Sequence, residues 1–169
     1  MIGTSVTSQP SFTHFDEDGD ARMVDVGAKP ISPRIAIAKS RIRMQLTTAD
    51  AIRNSSIKKG DVLSVARIAG IQAAKQTSNL IPLCHFLPLD KVLLKAEWIA
   101  PAELEWTAEI RTSAKTGVEM EALVAASIAC LTVYDMSKAI DKSMEIVHVG
   151  LWLKDGGNSG RFERTNETN

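Results

Sequence analysis

The chain has 169 residues, 44% of them hydrophobic, with twenty Lys or Arg balanced by twenty Asp or Glu. That is enough apolar material for one domain with a buried core. The absence of net charge argues against a module held to nucleic acid by bulk phosphate attraction, although it leaves a local basic pocket open. No apolar run approaches the length of a membrane span. The stretch Met1–Ser11 lacks the basic-then-apolar pattern of a secretory signal and the arginines of a transit peptide. Cys84 and Cys130 have neither metal-type spacing nor a disulfide framework. A reducing, cytoplasmic setting is expected, or a mitochondrial one if a targeting segment has been removed.

Residues 1–20 are rich in Ser, Thr, Asp and Gly and are expected to form a flexible N-terminal segment, and 156–169 a flexible C-terminal tail. Between them, 21–155 reads as a single α+β domain. Arg34–Leu46 alternates as a strand, with Ile42, Met44 and Leu46 on one face and Arg41, Arg43 and Gln45 on the other. Thr48–Ser56 predicts a short helix with Thr48 as its cap. After the basic turn Lys58-Lys59-Gly60, Asp61 caps a longer helix to about Gln76, with Val62, Val65, Ile68, Ala69 and Ala73 at helical spacing. Pro82 lies in the loop that follows. Lys91–Ile99 and Glu103–Thr112 predict two strands joined at Ala100-Pro101-Ala102. A helix from about Gly117 to Ile140 comes next. In the last strand, Glu145–Leu153, Ile146, His148, Gly150 and Trp152 face one way and Val147, Val149, Leu151 and Leu153 the other.

This order is the ferredoxin-like βαββαβ arrangement: an antiparallel sheet with helices on one face, plus an extra short helix after the first strand. Ala122–Tyr134 carries no charge. A helix apolar all round must be covered on more than one side, so the second helix or a second subunit has to cover what the sheet leaves.

Ionisable groups gather at the borders of these apolar elements. Thr116-Gly117-Val118-Glu119 fits a capping box, which is the favoured role for Glu119. Glu121 is not explained by the box; complementing the helix dipole and binding a substrate both remain open for it. Asp135 and Lys138 share a helix face as an ion pair. Their place at the end of an apolar stretch suggests partial burial, and an amine lowered towards neutrality can work as an acid or base. Lys59 stands beside a helix N-terminus, where ammonium and backbone amides together suit an anion; a solvated turn lysine is the plainer alternative. His85 follows Leu80-Ile81-Pro82-Leu83-Cys84, and neighbouring Cys84 finds no further ligands at metal spacing, so hydrogen bonding or proton transfer is preferred to metal binding. Arg34 after Pro33 offers a fork for phosphate or is a surface residue. Asp25 is a lone carboxylate in Met23-Val24-Asp25-Val26, where a turn is its plain explanation. Glu121 and Asp135 are fourteen positions apart, roughly 21 Å along a straight helix. One small reacting centre in one subunit cannot touch both: either the substrate is long, or a site combines the start of one subunit's helix with the end of another's.

Taken together, Met23–Val26, Lys59-Gly60-Asp61-Val62, Ala66–Lys75, Leu80–His85, Thr116–Ala122 and Tyr134–Lys138 resemble the cyclic pyranopterin monophosphate synthase family, the molybdenum cofactor biosynthesis protein C family, from about His14 to Phe162. The resemblance implies a hexamer, a trimer of dimers, with active sites at subunit interfaces. It implies conversion of 3′,8-cyclo-7,8-dihydroguanosine 5′-triphosphate to cyclic pyranopterin monophosphate with release of pyrophosphate, a phosphorus–oxygen lyase reaction. The family's catalytic aspartate matches Asp135 and its catalytic lysines match Lys59 and Lys138. Substrate contacts match Leu83, Cys84, His85, Met120 and Glu121, while Arg34, Asp25, Glu119 and Lys154 match pocket positions. No metal site and no required cofactor are implied, with a divalent cation escorting the pyrophosphate left open. An upstream radical S-adenosylmethionine enzyme is the implied pathway partner, and no nucleic acid or membrane partner is expected. Three positions depart from the common pattern: Phe86 stands where proline usually follows the histidine, Arg22 precedes Met23, and Ser137 replaces a cysteine. The first puts the path of the His85 loop in question. Two rivals remain at this level, a cyclohydrolase-like nucleotide hydrolase and a non-catalytic ferredoxin-like RNA-binding module; the missing aromatic signature on the sheet counts against the second.

Overall fold

The structure, a computed structural model, describes residues 18–55 and 60–165. Lys59 and Lys58, and all but the last three residues of the expected N-terminal segment, lie outside the described residues. The elements run β1 (Ser32–Arg43), α1 (Leu46–Arg53), α2 (Val62–Lys75), α3 (Thr77–Leu80), β2 (Lys91–Ala100), β3 (Glu103–Ala114), α4 (Glu119–Ser137), β4 (Glu145–Asp155) and β5 (Phe162–Glu163). The sheet is antiparallel in the order β2-β3-β1-β4-β5, the ferredoxin-like order with one short edge strand added. That edge strand falls inside the segment read as a tail, where Lys154 and Leu153 pair with Phe162 and Glu163.

β1 is central, paired along one edge with β3 and along the other with β4, and its two faces differ in chemistry. Ala36, Ala38, Ser40 and Ile42 point inward and are fully buried, opposite Ile110, Ala108, Trp106 and Leu104 of β3. Burying residues such as Ile42 or Leu104 contributes roughly 1.5–3 kcal/mol each. The alanines of β1 leave room for α4, whose own small residues Ala122, Ala125, Ala126 and Ala129 are fully buried, and Ser40 Oγ donates to Cys130 Sγ at 3.1 Å. The other sheet face is ionic: Lys39 and Arg41 both hold Glu105 at 2.7 Å, and Lys91 and Arg111 hold Glu109 at 2.9 and 2.8 Å.

α4 is apolar all round because it lies between the sheet and α2. By length and composition it could cross a membrane, contrary to the expectation that no such run exists, but half of it is buried in the core of this chain, while Leu131 stays half exposed. α2 meets α4 through Gly70: a Cβ there would come within 2.8 Å of the Ala125 carbonyl and would also strike the Leu94 side chain. The buried stripe of α2 is therefore Val62, Ala66, Gly70, Ala73 and Ala74, and the expected core residues Val65 and Ile68 are exposed. Close approach through small residues displaced the larger apolar positions from the contact.

The first strand ends earlier than its alternation suggests, and α1 starts two residues before Thr48. Thr48 is not the cap. Its hydroxyl donates to Asp141 Oδ2 at 3.2 Å, which also takes the Gln45 amide at 2.9 Å, so a carboxylate far along the chain closes this helix. Asp61 does cap α2, accepting from the Ser64 amide at 3.0 Å.

Candidate functional site

The N-terminal end of α4 faces two loops. One is the Leu80–Leu89 connection before β2, whose path is fixed where the Thr112 hydroxyl of β3 donates to the Pro88 carbonyl. The other is the segment before β1, where Lys115 Nζ donates to the Gly27 carbonyl at 2.6 Å. Together they wall a cavity of about 370 Å³ whose lining includes Val24, Leu83, Cys84, His85, Met120 and Glu121. Three consecutive motif positions from one loop, Leu83–His85, and two from one helix turn, Met120 and Glu121, thus meet around one space. Phe86 projects away from it into solvent, so the loop without the usual proline still brings His85 to the wall.

Glu121 is the chemically distinctive member. It is only 4% exposed. Burial, with the negative charge of Glu119 adding to it, pushes its carboxyl up to about 7, although its own backbone amide pulls the other way. It can therefore hold or release a proton near neutrality. Cys84 is raised too, first by burial and then by the charge of Glu121, so its thiol stays protonated and is a poor nucleophile.

Glu119 does not form the expected capping box. The cap position is Val118 without a side-chain hydrogen bond, and the Glu119 carboxylate pairs with Lys154 of β4 at 3.1 Å. To reach it, that carboxylate lies over Gly117, in the space a Cβ would fill. Asp25 takes the turn role: its Oδ1 accepts from the Gly27 amide at 2.7 Å, while flanking Val24 and Val26 line the cavity.

Past Thr116, Gly117 and Glu119 the crevice continues into a second cavity of about 510 Å³, whose lining includes Lys29, Ser32, Arg34, Lys115, Asn158 and Ser159. Arg34 spans its floor, donating to the carbonyls of Lys115 at 3.1 Å and of Ala114 and Gly156 at 3.4 Å. Its guanidinium fills the space beside Gly157, at φ +73°, where a side chain would collide. Lys154 reaches Ser159 Oγ at 3.3 Å. Lys29, Lys115, Asn158 and Ser159 were not singled out from the sequence. The cation directly before the Thr116-Gly117 turn and the glycine pair after Lys154 were the available signals.

Asp135 and Lys138 lie at the other end of α4, away from both cavities. Their ion pair is short, 2.7 Å, but open to solvent, at 62% and 52% exposure. The expectation of a partly buried pair with a lowered amine is corrected within the single chain. Hydrogen bonding to Asp135, with its charge, raises the proton affinity of Lys138, and burial contributes little against it. Among the described residues, no three His, Cys, Asp or Glu side chains stand together as metal ligands.

The MoaC family model matches residues 23–157. The chain is 53% identical to a cyclic pyranopterin monophosphate synthase of Desulfitobacterium hafniense, over 90% of this chain and 93% of that protein. It is 54% identical to the synthase of the same name from Jannaschia sp., over 89% of this chain and 93% of that one. For Rhodopirellula baltica the figures are 50%, 92% and 94%.

Proposed function

Since the chain belongs to the MoaC family, we infer that it carries out the cyclic pyranopterin monophosphate synthase reaction of molybdenum cofactor biosynthesis. On this reading the substrate is 3′,8-cyclo-7,8-dihydroguanosine 5′-triphosphate, the products are cyclic pyranopterin monophosphate and pyrophosphate, and the enzyme is a phosphorus–oxygen lyase. The observation that carries the reading is the meeting of Leu83, Cys84 and His85 with Met120 and Glu121 around one cavity, in a chain half identical to proteins of that name.

The chemistry asked of the site has two parts. Opening the purine's five-membered ring and rebuilding it as a pterin needs proton transfers, for which a buried carboxyl near neutrality and an adjacent imidazole are suited. Closing the cyclic phosphate needs a substrate hydroxyl to attack the inner phosphorus. That P–O bond forms as the bond to the pyrophosphate breaks, the pyrophosphate leaves with the electron pair, and the hydroxyl proton passes to a base. Lys59, Lys138 and Asp135 are assigned to this acid–base work, with Asp135 orienting Lys138.

The length of α4 favours a route from a second chain for those residues. Roughly 21 Å separates its ends, so Asp135 and Lys138 of a neighbouring protomer complete each site, in a hexamer built as a trimer of dimers. An exposed pair in one chain then becomes a sheltered one in the assembly, and desolvation lowers the amine towards working range. The substrate comes from an upstream radical S-adenosylmethionine enzyme, in the cytoplasm or in a mitochondrion, and the reaction requires no cofactor, with a divalent cation escorting the pyrophosphate left open. Incubation with the cyclised dihydro-GTP, followed by mass detection of the cyclic phosphate and pyrophosphate, tests the reading. Turnover of that compound and none of GTP is expected; hydrolysis of GTP itself, with no cyclic phosphate from the cyclised compound, would identify a cyclohydrolase-like enzyme instead.

A further inference from the structure

Helix ends ordinarily fray, yet the end of α4 that carries Asp135 and Lys138 is tied down by a carboxylate just beyond it. Asp141 is 2% exposed, and four uncharged donors hold it. Its Oδ2 accepts from the Gln45 amide at 2.9 Å and the Thr48 hydroxyl at 3.2 Å. Its Oδ1 accepts from the Ser143 amide at 2.9 Å and the Ser143 hydroxyl at 2.7 Å. Burial pushes this carboxyl up, but the bonds from Gln45, Ser143 and Thr48 outweigh it and hold the group below the usual carboxylate range. The fold therefore binds the charged form, and a charged acceptor makes the stronger hydrogen bonds.

Two separate pieces of the chain meet at this carboxylate. One is the turn after α4. There the Ser137 carbonyl accepts the Ile140 amide at 3.0 Å and the Asp141 amide at 3.2 Å, and the Tyr134 hydroxyl donates to the Lys142 carbonyl at 3.4 Å. Lys138 is the C-cap of α4 and sits at the start of this wrapped turn. The other piece is the beginning of α1, and Lys59 follows α1 in the sequence.

A local closure for α1 is open to the chain and is not used. Gln45 holds the extended backbone of a cap, φ −70° and ψ 149°, but makes no side-chain cap bond. Aspartate or serine at that position would cap the helix from within. Instead the closing carboxylate comes from 96 residues away. A local cap would steady one helix, whereas this one also fixes α1 against the end of α4. Asp135 and Lys138 are open to solvent, so side-chain packing does little to hold them and their place follows the backbone beneath.

We propose that Asp141 is a positioning residue for the reaction: it locks the C-terminal end of α4 against α1, so that Asp135 and Lys138 are presented to a neighbouring protomer's cavity in a fixed geometry. The proposal rests on the function inferred above. Buried as it is, Asp141 acts only through the backbone it holds. Rates depend steeply on such placement: a displacement of about 1 Å can cost about a hundredfold.

The test uses the full chain in its native assembly and the cyclised dihydro-GTP as substrate. Asp141→Ala should lower kcat about ten- to a hundredfold and change KM by less than about threefold, because Leu83–His85, Met120 and Glu121 lie at the other end of α4. This variant also loses a helix closure, so lost geometry has to be told from lost stability. The double variant Asp141→Ala/Gln45→Asp separates them. It gives α1 a cap of its own and should recover most of the thermal midpoint, while the turn after α4 stays unheld and kcat stays low. Amide exchange read by mass spectrometry should show residues 46–49 protected again and residues 140–143 still fast. Asp141→Asn keeps the shape and part of the acceptor capacity and should give an intermediate kcat, so the test does not depend on the alanine variant assembling. A double variant whose kcat returns to wild type together with its thermal midpoint overturns the positioning role and leaves the function standing. A wild-type protein that fails to turn over the cyclised compound refutes the function and the positioning role together.

Discussion

Replacing Glu121 by Gln should change how stability depends on pH. In the native protein the carboxyl is pushed from 4.5 to about 7, chiefly by burial. Unfolding returns it to water and to its ordinary affinity. Between those values the native state holds a proton that the unfolded state has released, so stability falls as pH rises through the window and levels off above about 7. A shift of this size corresponds to about 3 kcal/mol in total. Glutamine keeps the shape but cannot ionise, so the variant lacks this term. Urea unfolding of both proteins at fixed protomer concentration, at about pH 4.5 and about pH 8, isolates it: the stability gap should move by about 3 kcal/mol in favour of the variant at the higher pH. Other carboxylates cancel because they are common to both proteins. Stability curves that stay parallel across the range would refute the claim that this carboxyl is held protonated by burial.

Glu105 works in the opposite sense. Burial alone would raise its carboxyl, but hydrogen bonds and charge from Lys39 and Arg41 outweigh that and hold it low. Glu105→Gln should cost about 1–3 kcal/mol at neutral pH; the loss should fade in acid, as the wild-type carboxylate protonates on falling through its depressed value, and urea titrations at several pH values would read it. Gly70→Ala should destabilise by about 1–3 kcal/mol, because the new methyl meets the Ala125 carbonyl at 2.8 Å; a thermal midpoint equal to wild type would mean that the two helices can part without cost. Asp135→Asn and Lys138→Ala should each abolish turnover while leaving the assembly state by size-exclusion chromatography and the thermal midpoint unchanged, and full activity in either variant would remove that residue from the mechanism.

What could be read from the sequence was what depends on local chemistry. The alternation of Ile42 and its neighbours, the Asp61 cap and the uncharged run Ala122–Tyr134 each act over a few residues, and the sheet order follows from their succession. What could not be read depends on distant parts meeting. Asp141 closes α1 from nearly a hundred residues away, so Thr48 looked like the cap. Lys154 draws Glu119 out of its capping box, and nothing near Glu119 in the chain announces that. The buried stripe of α2 runs through Gly70 because a helix from elsewhere needs the space, so Val65 and Ile68 are exposed despite their helical spacing. The candidate site divides the same way. Its motif residues at the N-terminal end of α4 converge on one cavity, while Lys29 and Lys115 become site candidates only once the loops are folded together.

The claim on which the rest depends is that each working site is shared, with Glu121 and His85 from one chain and Asp135 and Lys138 from another. Subunit complementation tests it directly. Glu121→Gln and Asp135→Asn, each inactive alone, are unfolded together, reassembled, and assayed for the cyclic phosphate. Random mixing should restore about a quarter of wild-type activity, because that fraction of interfaces draws both intact ends from different protomers. Activity that stays at the level of the separate variants, in particles shown by native mass spectrometry to be mixed, would contradict the account.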